Sequence, residues 1–282
     1  MTRPDEQFLA LTAAIAGDPR NPEPYYARGQ HSVERGDYAR AIADFDRAIA
    51  LSPRNPAYYI ERGDCYHRQG DTRRCIADED RAIELDPYNA EYYERRGRSY
   101  LSKNQFDEAT RDFSRAIRLA PENALYYHLR GVCYAWQRER EHAIADSLKA
   151  VELEPTRADF YIGLGNAYIC EHSLRDDYER SIESMTRGIA LDPQNADYYA
   201  RRGRCYGHMA KFEQAIADYD LAVGLDPANA SYYYVRALIQ RAKGDRQAAL
   251  LDVQIAARLG HPAAKREMHP LVRFLNAFLS IR

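Results

Sequence analysis

Five cysteines, eight histidines, a lone tryptophan and a recurring arginine–aspartate pair are the side chains of this 282-residue chain best suited to chemistry. Zinc would need Cys or His at short ligand spacings. The histidines form no HxxxH pair and no Cys/His knuckle, and Cys170, in Cys170-Glu171-His172, has no second Cys or His at that spacing. The sequence also contains no GxxxxGK[ST] phosphate loop and no GxSxG nucleophile elbow. We therefore expect no metal, no cofactor and no enzymatic activity.

Charge narrows the partners. Forty basic residues stand against 42 acidic ones for a net charge of −2, so nothing marks nucleic acid or an anionic membrane as a partner. Near the N-terminus Asp5, Glu6 and Gln7 interrupt the apolar residues, unlike a secretory signal. No apolar run approaches the roughly 20 residues of a membrane span. An odd number of cysteines in a long chain suits a reducing compartment, and a cytoplasmic location is expected.

What positions these side chains is a repeat. The 23 tyrosines arrive largely in pairs, each shortly before a glycine. Gly29, Gly63, Gly97, Gly131 and Gly165 are evenly spaced, with a period of roughly 34 residues. Gly203 comes one helical turn late, and Ala237 takes the same place one regular step after it. With that residue as position 8, the units are 22–55, 56–89, 90–123, 124–157, 158–195, 196–229 and 230–262. Position 11 is tyrosine in the five central units, position 27 is always Ala or Gly, and position 32 is proline in six units. Cys65, Cys133 and Cys205 share position 10 and Cys75 stands at position 20, both small-residue sites, which makes these four thiols core fillers.

Each unit reads as two helices. Apolar residues at 4, 8 and 11, then at 20, 21, 24, 27 and 28, have the spacing of one-sided helices. Gly36, Gly70 and Gly244 offer left-handed stops between them, with Asn104 a substitute. Proline at 32 cannot continue the second helix, and Asn55, Asn89, Asn123, Asn195 and Asn229 follow as N-caps.

These residues resemble the tetratricopeptide repeat family, whose pattern of roughly 34 residues runs aromatic, x₂, Leu-Gly, x₂, Tyr, then Ala, x₃, Phe, then Pro. The resemblance covers residues 22–262 and implies an all-α, right-handed superhelical α-solenoid of helix-turn-helix repeats. Residues 1–21 read as an orphan capping helix, with Leu11, Ala14 and Pro19 at positions 24, 27 and 32. Residues 263–282 read as an amphipathic C-terminal capping helix, its apolar face formed by Leu271, Phe274, Leu275, Phe278 and Leu279, or else as a homodimer contact.

Where the family has leucine at position 7, this chain has Arg28, Arg62, Arg96, Arg130, Arg202 and Arg236, with Leu164 the exception. Position 23 is Asp44, Asp78, Asp112, Asp146, Asp218 and Asp252, and Ser184 in the unit that has Leu164. The two types appear and vanish together. Positions 7 and 23 lie eight steps either side of the hairpin turn, so they predict an Arg–Asp bridge across each hairpin except the fifth. Two further departures fall at position 24, normally aromatic: Glu79 and Ser147. Glu79 is expected to be partly exposed or arginine-paired, with a functional role as the alternative. The four extra residues of the fifth unit, between Tyr168 and Tyr178, match one helical turn and are expected to lengthen its first helix, with a lengthened turn that protrudes as a contact site the alternative.

The resemblance also implies a concave groove lined by the first helices at positions 2, 5, 9, 12 and 13. Those positions carry Ile60, Asp64, His67 and Arg68, then Glu91, Glu94 and Arg98, then His128 and Trp136, Asn166, Arg204 and His208. From these, Arg68, Arg98, His128, Trp136, Asn166, Arg204 and His208 are the candidate partner-binding residues, since arginine, tryptophan and histidine suit a peptide clamp. Trp136 packing on a neighbouring helix is the alternative. No unit combines Lys at 5 with Asn at 9, the pair with which family members grip acidic chaperone tails. The expected function is a protein-interaction adaptor holding an extended or helical segment of another protein or peptide in its groove, between units three and six. A self-assembling scaffold, hence a homo-oligomer, is the alternative, and an RNA-binding helical repeat is weighed behind both.

Overall fold

The computed structural model describes residues 6–169 and 174–268. Among them every regular element is a helix, and the helices fall into two compact units that divide between Gln137 and Arg138. The first holds α1 (Glu6–Gly17), α2 (Pro22–Glu34), α3 (Tyr38–Leu51), α4 (Pro56–Arg68), α5 (Thr72–Leu85), α6 (Ala90–Ser102), α7 (Phe106–Leu119) and α8 (Ala124–Trp136). The second holds α9 (Arg140–Leu153), α10 (Ala158–Tyr168), α11 (Arg175–Leu191), α12 (Ala196–His208), α13 (Phe212–Leu225), α14 (Ala230–Lys243), α15 (Arg246–Arg258) and α16 (Pro262–Met268). The fold is an all-α helical-repeat solenoid in which each helix packs on the next in sequence within its unit. Cys170 and the apolar residues from Leu271 onward lie outside the described residues.

Local chemistry sets the helix ends. Asn55, Asn89, Asn123, Asn195 and Asn229 each accept a backbone N–H through the side chain at a first-helix start. Asp37, Asp71 and Asp245 do the same for second helices. The turn between helices passes through the left-handed region, at φ 74° for Gly36, 80° for Gly70 and 100° for Gly244. Asn104 takes this role at 58°, and so do Arg138 at 64° and Ala210 at 56°, two side chains that adopt it at a cost.

Position 8 is glycine because the facing helix approaches too closely for a methyl group. A Cβ on Gly97 would lie 2.7 Å from the Phe113 ring, and one on Gly29 would lie 2.6 Å from Phe45. Gly63 differs: its Cβ would meet nothing nearer than Asp78 Cβ at 3.4 Å, because position 24 of its unit is Glu79 and carries no ring. In the last hairpin the smaller Val253 stands at position 24, and position 8 is Ala237. Cys65, Cys75, Cys133 and Cys205 are buried and free. Burial pushes the thiols of Cys65, Cys75 and Cys133 up to about 12, which keeps them protonated and unreactive.

The long fifth unit corrects one expectation. Its first helix does not grow: α10 has 11 residues and ends at Tyr168, after which Ile169 is extended. The second helix grows instead. α11 has 17 residues, against 14 in α3, α5, α7, α9 and α13. Its first turn is held by Asp177, whose Oδ2 accepts the Leu174 N–H at 2.9 Å and whose Oδ1 pairs with Arg140. A carboxylate there also favours the helix start electrostatically.

Candidate functional site

The arginines of position 7 form the frame on which the exposed faces are built. Arg28 donates from Nε and Nη2 to the two oxygens of Asp44 at 2.8 and 2.7 Å. Arg62 holds Asp78 the same way at 2.9 and 2.6 Å, and Arg96 holds Asp112 at 2.8 and 2.7 Å. In the second unit Arg202 grips Asp218 at 2.9 and 2.7 Å, and Arg236 grips Asp252 with both bonds at 2.7 Å. Such two-pronged pairs fit the planar guanidinium to the carboxylate. Burial raises the carboxyl groups of Asp78 and Asp112, and their arginines oppose it.

A third bond, which sequence reasoning missed, ties each arginine to the preceding hairpin. Arg62 Nη1 donates to Asp46 at 2.5 Å, Arg96 to Asp80 at 2.7 Å and Arg236 to Asp220 at 2.6 Å. Thr12, Ser114 and Thr186 accept in the same way from Arg28, Arg130 and Arg202. Asp146, the predicted partner of Arg130, belongs to the other unit. Each of these acceptors precedes its arginine by the same interval at which the paired aspartate follows it. The signal was in the sequence: at that interval before the exceptional Leu164 stands Leu148, which offers no acceptor. Tyrosines at positions 4 and 11 flank the guanidinium, as when Arg96 lies 5.8 Å from Tyr93 and 5.9 Å from Tyr100.

The groove candidates divide into several environments. Trp136 stays 67% exposed yet stacks on Phe106 of α7, with ring centres 5.7 Å apart and planes 5° from parallel. His208 stacks on Tyr178 at 5.3 Å, and Arg68 lies over Tyr38 at 5.9 Å. These three share position 13, and each leans on the start of the preceding second helix. Arg204 is exposed, Asn166 and His128 are half-buried, and none of the three lines the concavity described next.

One concavity of about 270 Å³ opens in the first unit between α4, α5 and α6. Its walls include Asp64 and His67 of α4 and Glu91, Glu94 and Arg98 of α6. All five stand at the first-helix positions named from the family resemblance. Arg95 holds Asp64 Oδ2 at 2.7 Å and Glu91 Oε1 at 2.8 Å, and Arg98 pairs with Glu94. At the inner end Glu79 of α5 meets Ser99, whose Oγ donates to Oε1 at 2.9 Å, with the Cys75 thiol 3.5 Å from that hydroxyl.

Glu79 corrects the reading of its residue type. It is 4% exposed rather than partly exposed, and no arginine is bonded to it. Burial pushes its carboxyl up to about 7, opposed chiefly by the hydrogen bond from Ser99. Among the described residues no three His, Cys, Asp or Glu side chains are arranged to hold a metal ion. No helix among them is long and apolar enough to cross a membrane.

Family profiles described as tetratricopeptide repeat match residues 9–53 and 26–90, residues 90–123 and residues 196–229, together more than half of the chain. No curated protein matches the sequence closely enough to count as a relative. Among solved structures, a tetratricopeptide repeat protein from Parabacteroides merdae superposes with a TM-score of 0.71 at 22% identity, over 87% of this chain and 96% of that one. MamA from Desulfovibrio magneticus RS-1 gives 0.56 at 23% identity, over 61% of this chain and 95% of that one. Pseudomonas aeruginosa PilF gives 0.61 at 19% identity, over 75% and 95%. At these identities the likeness is one of fold.

Proposed function

This chain belongs to the tetratricopeptide repeat family, and we propose that it is a protein-interaction scaffold whose first-helix faces hold an extended or helical segment of a partner protein. One observation carries this reading. Five side chains at the positions that face ligands in the family converge on a single concavity, where carboxylates and guanidinium groups stand side by side. Charged and polar groups arranged this way select a partner by complementary charge rather than by bulk apolar contact. Nothing in the concavity suggests turnover: its thiol is held protonated, and its arginines are engaged in ion pairs.

The test is retention of the native partner by a variant in which Asp64→Lys and Arg98→Glu reverse two charges of this wall. Complexes isolated from the native cell with the wild-type chain should contain a partner that the variant loses while keeping its helicity and its size. A variant that retains the partner in full contradicts the proposal.

A second reading, self-assembly, is favoured by Leu250 and Leu251 of α15, which are 45% and 59% exposed side by side on a second helix. It predicts a molecular mass that rises with concentration and falls when Leu251 is made lysine.

A further inference from the structure

We propose that the concavity between α4, α5 and α6 takes up the primary ammonium of a partner's lysine side chain, with Glu79 Oε2 as the innermost acceptor. The inference rests on the scaffold reading and names the chemistry that this part of the surface recognises.

The reason lies in how the carboxylates are spent. Ser99 satisfies Glu79 Oε1 at 2.9 Å, but Oε2 is buried and meets no donor of the protein. An acceptor buried without a donor is costly, and more so when it is charged. The guanidinium groups that line the concavity are committed at the rim: Arg95 to Asp64 and Glu91, Arg98 to Glu94. Four carboxylates thus face two guanidinium groups, and a further positive charge would reduce the negative excess.

The shape of the acceptor set selects the kind of cation. Glu79 offers one free oxygen, because the other is taken, so a guanidinium fork would find no carboxylate edge for its two parallel bonds. An ammonium is a compact charge with three independent donors and needs no such edge. Among the described residues no three acidic side chains converge on a metal position. The concavity, at about 270 Å³, has room for the end of a lysine side chain.

Uptake is coupled to a proton. Burial places the Glu79 carboxyl at about 7, so near neutrality it is partly neutral, and ammonium binding expels the remaining proton to solvent. The groups that face it are Asp64 and His67 from α4, Cys75 on its own helix, and Glu91, Glu94, Arg95 and Arg98 from α6. Asp64 works against ionisation, whereas Arg96 favours it. Affinity should therefore rise as the pH passes through 7 and level off above it, since the lysine stays charged until about pH 10.

The experiment is a titration of the full chain with Nα-acetyl-lysine methylamide at pH 6 and pH 8, alongside the norleucine and Nε-acetyl-lysine analogues. Saturable binding of the lysine compound alone is expected, about tenfold tighter at pH 8 than at pH 6. Glu79→Gln, nearly the same shape, should weaken binding at least about tenfold and abolish the pH dependence. The comparison of analogues and the wild-type pH profile hold even if that variant folds poorly. Equal binding of the norleucine compound, a flat pH profile, or no saturation up to the solubility limit overturns the ammonium site. If the lysine compound fails while native complexes still lose their partner on charge reversal at Asp64 and Arg98, the ammonium site falls and the scaffold reading stands. If complexes are also indifferent to charge reversal, both fall.

Discussion

Arg96 reaches out of its own hairpin to Asp80 of the preceding one: Nη1 donates to Oδ1 at 2.7 Å, while Nε and Nη2 hold Asp112. One guanidinium thereby fixes the two helices of a hairpin against each other and fixes that hairpin to its neighbour. The inner partner is mostly buried, with 7% side-chain exposure at Asp112, and the outer one is 47% exposed at Asp80.

That asymmetry makes a prediction. Removing Arg96 leaves Asp112 buried and unpaired, so Arg96→Ala should cost about 3 kcal/mol. Removing Asp80 breaks a pair that water screens, and Asp80→Ala should cost less than about 1 kcal/mol. Urea unfolding of both variants measures this; an Arg96→Ala chain as stable as wild type contradicts it.

The glycine at position 8 supplies a second prediction. Gly97→Ala drives a methyl group to 2.7 Å from the Phe113 ring and should destabilise by about 1–3 kcal/mol. Gly63→Ala meets only ordinary contacts and gains helix propensity, so it should stabilise by about 0.5–1 kcal/mol. Thermal melts should move in opposite directions for these two chemically identical changes.

Stability should also depend on pH through Glu79. Its carboxyl keeps its proton up to about 7 in the folded chain, against an ordinary value of 4.5. The neutral form therefore contributes fully below about pH 4.5, and its contribution is lost as the pH rises through 4.5 to 7. The loss is about 3 kcal/mol, taking about 1.36 kcal/mol for each pH unit of displacement. Glu79→Gln should be more stable than wild type at pH 8, by an amount that shrinks as the pH is lowered toward 4.5. An equal difference at both ends of that range contradicts the burial argument.

Ala210 occupies the left-handed region at φ 56° without being glycine. Ala210→Gly should remove that strain and stabilise by about 1 kcal/mol. An unchanged or lowered melting temperature would show that the turn between α12 and α13 is held for another reason.

The fold was legible because it is written in a period. Asn89, Gly70 and Phe113 do their work through short-range chemistry that recurs from one repeat to the next, so each occurrence corroborates the others. Arg96 and Asp112 could be paired from the same recurrence, because their joint absence at Leu164 and Ser184 isolates them. The bond to Asp80 was missed because it crosses between repeats, where comparison of positions within a unit is blind. Glu79 was misread for a different reason. Its burial follows from the approach of α6, which brings Ser99 rather than an arginine to its carboxyl, and side-chain type alone does not carry that. The second helix of the long unit, α11, took up the added length because Asp177 can hold a helix start, a local signal that counting residues against one helical turn passes over.

Hydrogen exchange on the chain, alone and bound to its native partner, tests the recognition surface most directly. The account predicts slowed exchange concentrated in Pro56–Arg68 and Ala90–Ser102, the helices that bear Asp64, Glu91, Glu94 and Arg98. Protection confined to second helices such as Arg246–Arg258, with α4 and α6 exchanging as in the free chain, would contradict it.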